Sequence, residues 1–78
     1  MELTFFRVNQ RVMVHRAGRH DPKPLPKPIM GTVRRLVTSS PAAWVALDHR
    51  SEDESLHPFP ADDSRATHVC VYPEDCTG

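Results

Sequence analysis

Between Asp21 and Pro28 the chain runs Asp21-Pro22-Lys23-Pro24-Leu25-Pro26-Lys27-Pro28, with proline at every second position. No helix crosses such a segment, because each proline removes a backbone donor and pushes its predecessor toward extended geometry. The run predicts a stiff, exposed, polyproline-like loop over residues 17–28. It is longer than an ordinary hairpin connection, and long loops often carry function. Eight prolines stand against three glycines in the 78 residues, and no helix-length amphipathic period occurs. Both facts point to short extended segments rather than a helical bundle.

The remaining segments read as strands. Val12 and Val14 alternate with Arg11, Met13 and His15, so Phe5 to His15 reads as extended, with a turn at Asn9-Gln10. Phe5, Phe6 and Val8 then form a short preceding strand or cover one open end. Ile29 to Thr38 reads as the next main strand, with Gly31 allowing a bulge or a close backbone approach. Val33, Leu36 and Val37 break alternation around Arg34-Arg35, which predicts a β-bulge that returns the later residues to the inward face. Ser39-Ser40-Pro41 signals a turn. Ala42 to Asp48 is a third strand with Val45 and Leu47 on one face and Trp44 on the other. Ser51 to Arg65 is a second long loop, acidic and interrupted by Pro58 and Pro60. Ala66 to Tyr72 is the last long strand, and Pro73-Glu74-Asp75-Cys76 reads as a closing helical turn.

Together these elements predict an all-β domain spanning residues 1–78: a small barrel of about five short strands, two long loops and a short C-terminal helical turn. A domain of this size buries only about 60% of its unfolded surface, so a closed or nearly closed sheet suits its small core.

The order of signals resembles the SH3-like barrel group. The segments that carry the likeness are Asn9-Gln10-Arg11-Val12-Met13-Val14, Gly31-Thr32-Val33, Trp44-Val45-Ala46-Leu47-Asp48 and His68-Val69-Cys70-Val71-Tyr72-Pro73. Within that group, Val69-Cys70-Val71-Tyr72 is distantly similar to the active-site strand of the plasmid-borne type II dihydrofolate reductases. Those proteins are barrels of about this length that work as tetramers. Tyr72 matches the family tyrosine and Val71 its isoleucine. Cys70 stands where the family has a glutamine, and a thiol substitutes poorly for an amide as a hydrogen-bonding group. The likeness therefore supports the fold more than the function, and a reductase of that type stands as the third and least favoured functional alternative.

Charge is distributed unevenly along the chain. Residues 1–50 hold nine cations against three acids, which gives +6; residues 51–78 hold one cation against seven acids, which gives −6. The two halves either neutralise each other across one domain or separate into a basic face and an acidic one. His15, Arg16, Arg19, His20, Lys23 and Lys27 gather in and before the first loop, and Arg34 and Arg35 follow on the next strand. These cations are candidate contacts to a partner. Tyr72 and an outward-facing Trp44 join them, since tryptophan is enriched at binding hot spots. In the competing arrangement, the cations pair with loop 51–63 and Phe59 folds over Trp44. The lysine-spaced prolines also resemble ligands of proline-binding domains, or else form a stiff loop that limits unfolded-state entropy.

The pattern favours a non-enzymatic module that contacts a protein partner through its loops and an exposed strand face. The alternative is a barrel that binds RNA or DNA through the basic loop and Arg34-Arg35. The zero net charge places protein first, because nucleic-acid modules are usually basic. His49, His57, His68, Cys70 and Cys76 are spaced by eight, eleven, two and six residues, which fits no paired metal-ligand motif. No metal or cofactor is expected. Cys70 with His68 and Asp75 has the residue types of a nucleophile, base and orienter, but such groups this close together usually decorate a strand end. Free thiols are expected at Cys70 and Cys76. No stretch approaches the roughly 18 apolar residues of a membrane span, and the N-terminus lacks a basic region followed by a long apolar run. The expected setting is the cytoplasm, where cysteines stay reduced.

Overall fold

A computed structural model describes residues 5–77 and is all-β in this range. The strands are β1 (Arg11–Ala17), β2 (Lys23–Leu36), β3 (Ala43–Leu47), β4 (His68–Val71) and β5 (Cys76–Thr77). Two 3-10 turns, Glu54–Leu56 and Pro73–Asp75, are the only helical segments among the described residues. All pairings are antiparallel, and the sheet order is β4-β3-β2-β1-β5.

Valine places the core. Val12, Val14, Val33, Val45, Val69 and Val71 are each fully buried, as their two-residue period on four strands predicts. Phe6 is buried with them in the core cluster, and Phe5 packs edge-on against its ring with centroids 5.0 Å apart. The first strand begins at Arg11 rather than Phe5. Asn9 takes a left-handed φ of 74°, and the Asn9 N–H donates to the Val33 carbonyl at 2.7 Å. The chain therefore turns before the strand proper starts.

The proline segment departs from expectation. Residues from Lys23 onward are the first half of β2, a 14-residue strand, and only the connection from Gly18 to Pro22 is a loop. The pairing explains how the strand tolerates its prolines. β3 joins β2 only from Gly31 onward, so the proline-bearing half has β1 as its single neighbour, through Arg16–Pro24 and Ala17–Lys23. A half-strand with one neighbour has a free side for donors that proline lacks. Pro24, Pro26 and Pro28 are exposed, while Leu25 and Ile29 face the core and anchor the segment.

The expected bulge is present. Val33 pairs with Val45 and Arg35 with Trp44, which leaves Arg34 as the extra residue. It does not return Leu36 to the interior, for that side chain is 41% exposed. Gly31 marks a close approach. A Cβ there would meet Val45 Cγ1 at 2.6 Å and the Ala46 carbonyl oxygen at 2.9 Å.

As a hydrogen-bonded ladder the sheet is open, since β4 is not laddered to β1 or β5. It is nonetheless strongly rolled. Four residues carry the chain from Val71 on one edge to Cys76 on the other, three of them wound into a 3-10 turn. At about 2 Å of rise per residue in that turn, the link falls well short of the roughly 19 Å that four strand spacings of a flat sheet require. A single backbone bond, from the Gly18 N–H to the Cys70 carbonyl at 2.9 Å, ties the end of β1 to β4. No helix among the described residues is long and apolar enough to cross a membrane.

Candidate binding cleft

The seam between β1 and β4 shapes a cleft. Gly18, at φ 141°, turns the chain out of β1. The backbone then passes Tyr72, whose hydroxyl donates to the Arg19 carbonyl at 2.7 Å. This bond fixes the backbone at Arg19 and His20 as one wall. The β2–β3 connection forms the opposite wall. There the Val37 N–H donates to the Ala42 carbonyl at 3.1 Å, Ser39 takes a left-handed φ of 62°, and the Ser40 hydroxyl accepts the Ala42 N–H at 3.2 Å. Cys70 lies between the walls, and the space has a volume of about 270 Å³.

The lining residues are Arg19, His20, Thr38, Ser39, Ser40 and Tyr72 with Val37, Ala42 and Cys70, and none of them is acidic. Arg19 takes part in no salt bridge among the described residues. A cleft with a guanidinium, the Thr38, Ser39 and Ser40 hydroxyls and no carboxylate suits a negatively charged group. Burial pushes the Cys70 thiol up, and nearby Arg19 opposes that shift only in part, so the sulfur is kept as a neutral thiol. Cys76 is pushed up to about 11 by burial, with Asp75 adding to the effect. Both cysteines are free, as expected.

The proposed site residues divide. Arg19 and Tyr72 meet at the cleft. Arg16 is engaged within the fold, where its Nη2 lies 2.9 Å from Oδ1 of Asp75, a carboxylate only 1% exposed. Lys23 and Lys27 are exposed on the proline half of β2, with Lys23 near enough to Asp53 to help hold that carboxyl low behind the stronger effect of Ser55. Arg34 and Arg35 are exposed at the bulge. None of these four cations is salt-bridged among the described residues. Trp44 is half-buried, because Phe59 leans over it with ring centroids 6.2 Å apart and planes tilted by 44°. The Arg65 guanidinium caps Phe59 from 4.2 Å.

The charge halves meet in part. Arg16–Asp75 and Arg50–Glu54 join the basic half to the acidic one, whereas Arg11–Asp48 lies within the first half and Arg65–Asp63 within the second. Asp75, one of the three groups with the residue types of a nucleophilic site, is held by Arg16. No group of three or more metal-ligating side chains converges among the described residues. Ser39 and Ser40 were visible in the sequence only as a turn; nothing there marked them as a wall of the cleft. Comparison with protein-family models, curated proteins and solved structures finds no match.

Proposed function

We propose that this chain is a non-enzymatic binding module of SH3-like architecture that takes an acidic segment of a protein partner into the cleft between Arg19-His20 and the β2–β3 turn. The observation that carries this reading is the lining: Arg19, His20 and four hydroxyl-bearing residues with no acidic residue, in a chain whose net charge is zero. The barrel reading draws its support from the rolled sheet and from the bond that links Gly18 to Cys70.

A ¹⁵N-labelled chain titrated with a short Glu-rich peptide tests the proposal. Shifts should concentrate at Arg19, His20, Ser39 and Ser40. Arg19→Glu should weaken binding by roughly tenfold or more, the scale of one lost charge-assisted hydrogen bond plus repulsion. Unmoved cleft resonances at low salt would sink the idea. Shifts centred instead on Arg34 and Arg35 with an oligonucleotide, steeply dependent on salt, would favour nucleic acid as the partner.

A further inference from the structure

The acidic loop is fastened by a buried histidine. Leu56, in the first 3-10 turn, enters the core, and His57 follows it with 8% of its surface exposed. The Ser51 N–H donates to His57 Nε2 at 3.1 Å in a buried position. Nε2 must therefore carry a lone pair, which places the ring proton on Nδ1 in the neutral form. Nδ1 is buried with no hydrogen-bond partner of its own. The ring also lies near the Ala66 carbonyl, which accepts from the Arg50 guanidinium and favours a charged imidazole. Arg50 also donates to the Glu54 carboxylate at 2.6 Å and to the Phe59 carbonyl at 3.5 Å. Phe59, two residues beyond His57, is the ring that covers Trp44.

We propose that residues 50–66 form an acid-released cover over Trp44, held shut by His57 in its neutral form. This proposal does not depend on what the cleft binds. A proton on Nε2 would turn the acceptor of the Ser51 N–H into a second donor, so two N–H groups would face each other in a buried site. It would also place a cation beside Arg50. The imidazolium must then swing toward water, which withdraws the support of Ser51, Leu56 and the Arg50 contacts together and lets Phe59 leave Trp44. Glu54 and Asp53 attract a charged His57, but Glu54 is already bound by Arg50, and Asp53 caps the 3-10 turn through the Ser55 N–H at 3.0 Å. From the sheet side, Lys23 on β2 faces Asp53. His68 on β4, the partner of Ala46, is the other histidine with a buried, unpartnered Nδ1.

Burial holds His57 below the ordinary histidine value, with Arg50 adding to the effect and Glu54, the Ala66 carbonyl and Asp53 opposing it. Neutral His57 contributes its full stabilisation above the unfolded value of about 6.5, and that contribution is lost as pH falls through the lower folded value.

Trp44 is the single tryptophan, so its emission reports the cover directly. The experiment follows Trp44 fluorescence and the His57 ring protons by NMR in the full chain from pH 7.5 to 4.5. The expected result is a red shift of emission that coincides with His57 titration, with a midpoint below about 6.5, while the core valine methyl signals stay in place. His57→Gln keeps an acceptor for Ser51 and removes the titration, so it should abolish the transition; His68→Gln should leave it intact. The proposal is overturned if emission stays constant while His57 titrates, if His57 titrates at or above the ordinary value, if the valine methyls move with the same midpoint, or if His68→Gln removes the transition. Should His57→Gln fail to fold, the wild-type coincidence of ring titration and emission still decides.

Discussion

Gly31 and Asp75 are the two positions where one atom makes the most difference. At Gly31 a methyl group would press on the Val45 side chain and the Ala46 carbonyl, and backbone cannot yield as the end of a flexible side chain can. Gly31→Ala should lower stability by about 1–3 kcal/mol, the usual range for overpacking a tight core, read as a drop in the urea midpoint. At Asp75 the carboxylate is almost fully buried, with Arg16 bound to one oxygen and no partner on the other. Arg16→Ala should cost about 1–3 kcal/mol, because it strands a buried charge, although the half-exposed arginine moderates the loss. Replacing both with Arg16→Met and Asp75→Leu should recover much of that loss in the same denaturation assay. The sequence marked Arg16 as a partner contact, yet its charge is spent inside the molecule. Arg16 and Asp75 are 59 positions apart, and only the return of β5 to β1 brings them together.

The elements were legible where alternation was strong. Valines 12, 14, 33, 45, 69 and 71 carried the core assignment because a pleated strand sends every second side chain the same way. The bulge at Arg34 was readable for the same reason, as a break in that period. β2 was hidden because proline in a strand is acceptable only with a free side, and which side is free depends on where β3 begins to pair. Leu25 and Ile29 were the visible clue, two apolar residues four apart among prolines and lysines. The cleft was not legible at all. Its walls come from residues 19–20, 37–42 and 70–72, and no local pattern reports that they converge. The hydroxyl of Tyr72 tests how those walls are held. Tyr72→Phe should leave the sheet folded and speed amide hydrogen exchange at Gly18 several-fold, consistent with about 1 kcal/mol for the lost bond to Arg19; unchanged exchange would show that the wall stands without it.

For the molecule as a whole, the final strand matters more than its two residues suggest. Thr77 and Cys76 pair with Met13 and Val14, and Cys76 belongs to the core. Removing residues 76–78 should therefore bare the β1 edge of the sheet and promote association, visible as a concentration-dependent rise in light scattering. The Gly18–Cys70 bond has a consequence for how the molecule is made. A nascent chain, delivered N-terminus first, can lay down its first three ribbons in order, yet it cannot tie the end of β1 to β4 until the stretch around Cys70 has emerged and cannot add the last strand until position 77 follows. A stall on the ribosome in that interval would hold a half-curled trough with bare, sticky rims, the state most prone to join its neighbours.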